Sequence, residues 1–202
     1  MAAKPKPQGT GAPPSASSAD LADLTIAVNR IAANQRHANG YEIRNAILVD
    51  EEKERVRYRN GITELPCSVQ RLFADAQRRN ANHRRTLARN IVKANGQARP
   101  ADACAHHIVA LNDERALLSR RRLFGWFIAI NDADNGVFLP RHASRPLQGS
   151  PQAPHHGAEL HTPVYHAAVY ARLRGADAAD PAAGRQRLRS IRQQLLADTF
   201  PR

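Results

Sequence analysis

The chain has 202 residues, a formal net charge of +12 and only 5% aromatic residues. This length suits one domain with a modest core, the two cysteines exclude a disulfide framework, and no apolar run approaches the roughly 20 residues of a membrane span. The positive charge favours a polyanionic partner, either nucleic acid or an anionic membrane surface. GC-rich coding is the alternative explanation, because only four of the 30 basic residues are lysines.

The N-terminal part is expected to consist of a tail and a helical region. Residues 1–17 are rich in Pro, Gly, Ser and Ala, which predicts a disordered tail. The tail has no apolar stretch of the kind found in a Sec signal peptide, so export would need another route. Residues 18–80 form the predicted helical N-terminal region, with helices that begin at the N-cap residues Ser18 and Ser68.

Apolar residues at spacings of three and four predict further helices along the chain. In residues 55–59, which precede these helices, arginines alternate with Val56 and Tyr58, and the turn dipeptide Asn60-Gly61 follows. This pattern fits a strand and an arginine-rich, solvated helix face equally well. The predicted helices are residues 84–95 with Gly96 as C-cap, residues 112–127 with Asn112 or Asp113 as N-cap and Gly125 as an interruption, a helix from Thr162-Pro163 to Gly175, and a last helix from Asp180-Pro181 with Leu188, Ile191 and Leu195 buried.

Two segments between the helices are expected to be extended. One follows Pro100 and contains His106-His107; the other is residues 137–139, which lie between the turn dipeptide Asn135-Gly136 and Pro140. Residues 141–158 are expected to be a loop. The pattern predicts an α+β, mainly helical fold.

The adjacent histidines His106 and His107 are the first candidate for chemistry. If the segment is extended, their side chains point to opposite faces, so they cannot do the same job. One could bind a metal ion while the other reaches a water molecule or a substrate. On residue chemistry alone, such a pair is weak evidence for catalysis.

A second histidine cluster lies around the predicted helix start at Thr162. His161 lies beside the cap and His156 lies five residues earlier, so both could join His106 on one ion such as Zn or Ni. His155 could replace His156. The other histidines are expected in structural or surface positions: His166 on a helix face, His37 and His83 at the surface and His142 in a loop.

A metal ion with a neutral histidine as general base suits phosphodiester hydrolysis. The run Arg120, Arg121 and Arg122 could bind phosphates, although a solvated helix face is the commoner reason for such a run. Tyr165, one helical turn after His161, could orient a ligand, contact phosphate or simply pack.

Three blocks of the sequence together resemble the AHH family of nucleases, in the HNH/endonuclease VII superfamily. They are Ala105-His106-His107-Ile108-Val109, the stretch Ile130-Asn131-Asp132-Ala133-Asp134-Asn135-Gly136-Val137-Phe138-Leu139-Pro140, and Leu160-His161-Thr162-x-x-Tyr165. The resemblance covers roughly residues 84–174. It implies a ββα-metal, treble-clef-like finger embedded among helices, within a nuclease domain at residues 81–202.

The resemblance also implies roles for the site residues. His106 would be a metal ligand and His107 the general base, with Asn135 counted as catalytic because it would brace the loop that carries the base. His161 and His156 would complete the ligands of one divalent ion (Mg, Zn, Ni or Mn). The five-residue gap between these two exceeds the family's usual two to four, which keeps His155 open as the alternative ligand.

The implied function is a metal-dependent endonuclease that cleaves DNA with low sequence specificity, or RNA. The family further suggests a bacterial toxin paired with a cognate immunity protein and a secretion-system component. Such a toxin would reside in the bacterial cytoplasm or be delivered into a target cell without a Sec signal. Two other hypotheses are a non-catalytic nucleic-acid-binding module with a structural metal finger, and a helical adaptor whose histidines lie at the surface.

Overall fold

A computed structural model describes residues 55–78, 82–157 and 160–202. The tail predicted at residues 1–17 and the helix predicted from Ser18 lie outside these residues. Within them the chain forms five α-helices and two antiparallel pairs of strands, which confirms the α+β, mainly helical prediction. None of the described helices is long and apolar enough to cross a membrane.

Most connections between the elements are short, except for residues 141–162 between β4 and α4, and two 3-10 turns lie among them. In chain order they are β1 (Tyr58–Arg59), β2 (Ile62–Thr63), α1 (Val69–Gln77), α2 (His83–Asn95), β3 (Ala103–His107), a 3-10 turn (Glu114–Ala116), α3 (Leu117–Gly125), a second 3-10 turn (Ala133–Asn135), β4 (Gly136–Pro140), α4 (Pro163–Arg174) and α5 (Pro181–Leu196).

Capping residues start three of these helices and end one where the sequence predicts, whereas the helix predicted at residues 112–127 is shorter and follows a 3-10 turn capped by Asp113. The side chains of Ser68, Thr162 and Asp180 each accept a hydrogen bond from a backbone N–H in the first turn of the following helix. Gly96 ends α2 in the left-handed conformation, with φ +66°. The helix ends are therefore satisfied locally, which is why a local reading of the sequence finds them.

The alternating residues 55–59 belong to a hairpin, not to a helix. β1 and β2 pair through Asn60 and Gly61, which have φ values of 49° and 80°. A side chain at position 61 would collide with the Asn90 carbonyl of α2. Glycine is therefore required both by the turn and by the close approach of this hairpin to α2.

β3 and β4 form the hairpin that carries the histidine pair. His106 lies opposite Val137, and His107 lies opposite Gly136. α2 packs against this pair, and a Cβ at position 136 would lie 2.7 Å from the side chains of Leu87 and Ile91. The absence of a side chain at Gly136 lets the helix approach the strand at the level of His107.

The main core draws on elements from both sides of residue 80. Residues buried in it include Leu72 of α1, Phe124 of α3, Tyr165 of α4 and Ile191 of α5. The rings of Phe73 and Phe124 meet edge to face at 4.6 Å between centroids. Packing is thus continuous across the position where the sequence predicts the nuclease domain to begin, and the independence of residues 81–202 stays a prediction.

Candidate functional site

β3 separates the two histidine side chains as alternation along a strand requires. His106 is 2% exposed and faces α4 and the loop before it, with its ring centroid 5.0 Å from that of His161 and 5.8 Å from that of His156. His107 is half-buried and hydrogen-bonds on the other side to Asn131. The pair therefore belongs to two different environments.

The hydroxyl of Tyr165 orients the His106 ring. This hydroxyl donates to the Ile108 carbonyl at 2.9 Å and lies 3.2 Å from Nε2 of His106. A phenol has one proton to donate, so it can bond His106 only by accepting from Nε2–H. This leaves Nδ1 of His106 with the free lone pair. Tyr165 is fully buried, and its predicted contact with phosphate stays untested.

The distances from the His106 ring to the rings of His156 and His161 fit a shared metal ion. Two imidazoles bound to one tetrahedral ion through nitrogens about 2.0–2.1 Å from it have ring centroids about 5 Å apart. The observed separations are close to this value. In the described part of the chain, no three donor atoms already converge as they would around an ion. A histidine ring turns about χ2 without displacing its centroid far, so binding of an ion would require these rings to rotate and not the backbone to move.

The three histidines are held in the neutral form that metal binding requires. Burial lowers the pKa of His106 well below its ordinary value, and His161 and His156 lower it further. Burial and the charge of Arg84 lower the pKa of His156. Loss of hydration lowers the pKa of His161, against the Asp113 carboxylate, which raises it.

A chain of hydrogen bonds leads away from His107 on the other side of the strand. Nε2 of His107 lies 3.1 Å from Oδ1 of Asn131. The amide nitrogen of Asn131 lies 2.9 Å from Nδ1 of His83, whose Nε2 lies 3.3 Å from the Arg78 carbonyl. Asn90 donates to the Asn131 carbonyl at 2.8 Å. Burial lowers the pKa of His107 to about 4, although its bond to Asn131 opposes the shift.

Asn135 braces the segment that follows the histidine pair. Its Oδ1 accepts from the Val109 N–H at 2.8 Å, and its Nδ2 donates to the Ile130 carbonyl at 2.8 Å. Its backbone carbonyl accepts from the Ile108 N–H at 2.9 Å. These contacts give Asn135 the bracing geometry expected from the sequence, and its role in catalysis stays a prediction.

The predicted phosphate-binding arginines lie on α3, outside the histidine cluster. Arg120 donates to the carbonyls of Ala110 and Asp113, at 2.9 and 2.7 Å. Arg122 donates to the Arg174 carbonyl at 3.4 Å, while Arg121 is exposed. Arg120 thus has a structural use, and the binding role of the three stays untested.

One sequence expectation about histidines is wrong. His83, expected at the surface, is 7% exposed because α2 begins against the loop that carries Asn131. His166 lies on α4, as expected for a helix residue, but on its buried face: it is 1% exposed, and its Nε2 lies 3.1 Å from the Asp113 carboxylate. Together with buried His106, they exclude an adaptor that carries all its histidines at the surface. His142, as expected, is an exposed loop residue.

The sequence reading missed Asn131 and His83 as parts of the site. Asn131 lies inside the block that carries the family resemblance, so that block offered a signal for it. His83 lies 48 residues before Asn131, and no local pattern connects the two.

Comparison with known proteins gives one match. Residues 87–198 match a family model described as a nuclease family of the HNH/ENDO VII superfamily with conserved AHH. The matched range covers more than half of the chain and includes His106, His107, Asn135, His156 and His161. No curated protein and no solved structure matches the chain.

Proposed function

The chain belongs to the AHH family of nucleases in the HNH/endonuclease VII superfamily, and from this premise we propose that it is a metal-dependent endonuclease. Its substrate would be DNA, cleaved with little sequence preference, with RNA as the other candidate. We infer that β3, β4 and α4 form the ββα-metal finger. One observation carries the proposal: β3 directs His106 toward His156 and His161, and His107 toward Asn131.

In this mechanism His106 and His107, which lie on opposite faces of β3, have different roles. His106, His156 and His161 would hold one divalent ion, which offsets the charge that develops on the phosphate and the leaving oxygen. His107 accepts a proton from the attacking water, whose oxygen forms a bond to phosphorus as the ester P–O bond breaks. Asn131 accepts from Nε2–H of His107, so Nδ1 is the nitrogen that receives the proton.

We further propose that the nuclease acts as a bacterial toxin. The family resemblance supports this, together with a net charge of +12 that favours binding to nucleic acid. A cognate immunity protein would protect the producing cell, and a secretion-system component would carry the protein to its target. Expression in bacteria tests this step: wild type should arrest growth and His107→Ala should not. Equal growth of the two strains would contradict the toxin role.

The direct test of the nuclease is cleavage of plasmid DNA and of RNA with Mg, Mn, Zn or Ni, and with EDTA. We expect His107→Ala to lose about 100- to 10,000-fold in rate while it keeps its affinity for DNA. His142→Ala, a change at an exposed loop histidine, is the matched control and should cleave as wild type does. A wild type that is inert with every ion contradicts the proposal.

Two other outcomes would redirect the assignment. A protein that binds DNA and retains a metal ion but never cleaves would be a non-catalytic binding module with a structural finger. If instead His106→Ala keeps its metal and loses catalysis while His107→Ala loses its metal, the roles of the two histidines are exchanged.

A further inference from the structure

A groove of about 460 Å³ lies beside the histidine cluster and is strongly basic. Arg84, Arg85, Arg99 and Arg141 line it together with His156, and no carboxylate does. Elsewhere in the described part of the chain several arginines pair with carboxylates, as Arg115 does with Asp113. The groove brings four arginines together without such a counter-charge.

Three of these arginines have no structural task in the described residues. Arg84, Arg85 and Arg141 are exposed, and their side chains make no hydrogen bond or ion pair there. Arg99 differs, because it donates to the Ala103 carbonyl. Arg120 of α3, by comparison, donates to two backbone carbonyls. The groove thus contains three guanidinium groups that are free to bind an anion.

The position of two of them works against the stability of α2. Arg84 and Arg85 occupy the first turn of this helix, which contains no acidic residue. Positive charge near a helix N-terminus opposes the helix dipole. An anion in the groove would reverse this effect, since it would meet both the guanidinium groups and the positive end of the helix.

The groove adjoins the proposed catalytic site. His156, one of the proposed metal ligands, lines the groove itself. Cys104 and Ala105, the two residues before His106 in β3, line it as well, and Arg84 and Arg141 share this lining. An anion held by these two arginines would therefore lie next to the site, not on a separate surface.

We propose that the groove is a nucleotide subsite that holds the phosphodiester adjacent to the scissile one. Arg84, Arg85 and Arg141 bind the phosphate oxygens, and the partly exposed side chain of Ala88 contacts the sugar. The volume lies in the range of roughly 300–1,000 Å³ that is typical of small-ligand sites, which suits one nucleotide. The assignment rests on the proposed nuclease function.

The test measures binding without catalysis. A fluorescently labelled, single-stranded 12-mer of dT is titrated with the full-length protein in EDTA, and its anisotropy is followed at several salt concentrations. The double variant Arg84→Gln/Arg141→Gln should bind on the order of 30-fold more weakly. The slope of log affinity against log salt should fall by about 0.7, the value for one phosphate contact on a single strand.

The matched control is Arg57→Gln/Arg174→Gln, which removes the same charge from two exposed arginines outside the groove. The affinity of this control for the 12-mer should fall by less than about threefold, because the two substitutions remove only long-range electrostatic attraction. Thymidine 3′,5′-bisphosphate should displace the 12-mer from wild type, and thymidine should not. If both double variants weaken binding equally, or if the bisphosphate fails to compete, the subsite is wrong.

Cleavage measured separately distinguishes this failure from failure of the nuclease proposal. A wild type that cleaves DNA with a KM unaffected by Arg84→Gln/Arg141→Gln overturns the subsite alone. A wild type that binds the 12-mer through the groove and cleaves nothing overturns the nuclease function alone. Thermal unfolding of the double variant verifies its fold, and it should be at least as stable as wild type because α2 loses an unfavourable charge.

Discussion

The order of donors and acceptors behind His107 determines which of its nitrogens can take a proton. The Arg78 carbonyl can only accept, so Nε2 of His83 carries the hydrogen, and its Nδ1 accepts from the Asn131 amide. Oδ1 of Asn131 then faces Nε2–H of His107. His83 and Asn131 are thus positioning residues, which keep Nδ1 of His107 unprotonated.

We expect His83→Phe to lower kcat by about 10- to 100-fold with little change in KM, because Asn131 loses its acceptor and can rotate. His83→Gln should restore most of the rate, since a side-chain amide can accept from Asn131 and donate to the Arg78 carbonyl. Nitrogen NMR shifts of the His107 ring would report its tautomer directly. If His83→Phe leaves both the tautomer and kcat unchanged, this role of His83 is excluded.

Tyr165 performs the corresponding task for His106, through a hydroxyl that serves both Nε2 and the Ile108 carbonyl. Tyr165→Phe should cost about 1–2 kcal/mol in the free energy of unfolding, because a buried carbonyl loses its donor. It should also weaken zinc binding by about 10- to 100-fold, since the ring is no longer oriented. Urea unfolding and zinc titration measure the two effects. Tyr170→Phe, on the same helix but partly exposed, should change neither.

At the level of elements, α5 fixes the turn that joins the site to β4. Arg185 donates to both Asp132 and Asp134, at 2.9 Å each, and Arg189 donates to Asp134 at 2.9 Å. Asp132 also accepts from the N–H and hydroxyl of Thr63 in β2. The acidic pair therefore ties α5 and the β1–β2 hairpin to the segment that contains Asn131 and Asn135.

Asp134→Asn tests this tie through its pH dependence. Burial raises the pKa of Asp134, but hydrogen bonds from Arg189 and Arg185 outweigh it, so the folded-state pKa is lowered. Because the folded-state pKa is lowered, the ionised carboxylate stabilises the fold at a pH above the unfolded-state pKa of about 3.9. This stabilisation is lost as the pH falls from that value toward the folded-state pKa. We expect a loss of about 2 kcal/mol at pH 7, and a smaller loss toward pH 3.

Urea unfolding of wild type and Asp134→Asn across this range measures the difference. Asp198→Asn is the control, because the ion pair of Asp198 with Arg202 is exposed and should contribute less than about 1 kcal/mol. A difference that does not depend on pH would mean that packing, and not charge, links Asp134 to α5.

The elements and the site differ in how far the sequence predicts them. Helix starts at Ser68 and at Thr162-Pro163 depend on contacts within one turn, so a local pattern is sufficient. The opposite directions of His106 and His107, and the closeness of His156 and His161 to His106, are predictable because alternation and the family resemblance both bear on them. The contacts of His83 with Asn131 and of Arg185 with Asp132 join residues about 50 positions apart, and composition and periodicity carry no information about such pairs.

At the scale of the whole molecule, residues before position 80 complete the structure around the site. In the β1–β2 hairpin, the Gly61 carbonyl accepts a hydrogen bond from the Ala133 N–H, and the Thr63 N–H donates one to the buried Asp132 carboxylate. Leu72 and Ala76 of α1 enter the same core as α3 and α5. A chain without these residues would expose apolar surface and leave the Asp132 carboxylate with fewer donors, both of which destabilise the fold.

We therefore expect a chain of residues 82–202 to show no cooperative unfolding transition in urea. A chain of residues 55–202 should unfold cooperatively, because every contact named above lies within it. Thr63→Val in the 202-residue chain supplies an intermediate case. This substitution removes the hydrogen bond from the Thr63 hydroxyl to Asp132 and the one that the hydroxyl accepts from the Ala129 N–H, while the core remains. It should lower the free energy of unfolding by about 1–3 kcal/mol. If residues 82–202 unfold cooperatively at the same urea concentration as residues 55–202, the nuclease domain predicted at residues 81–202 is independent, and the hairpin and α1 only cover it.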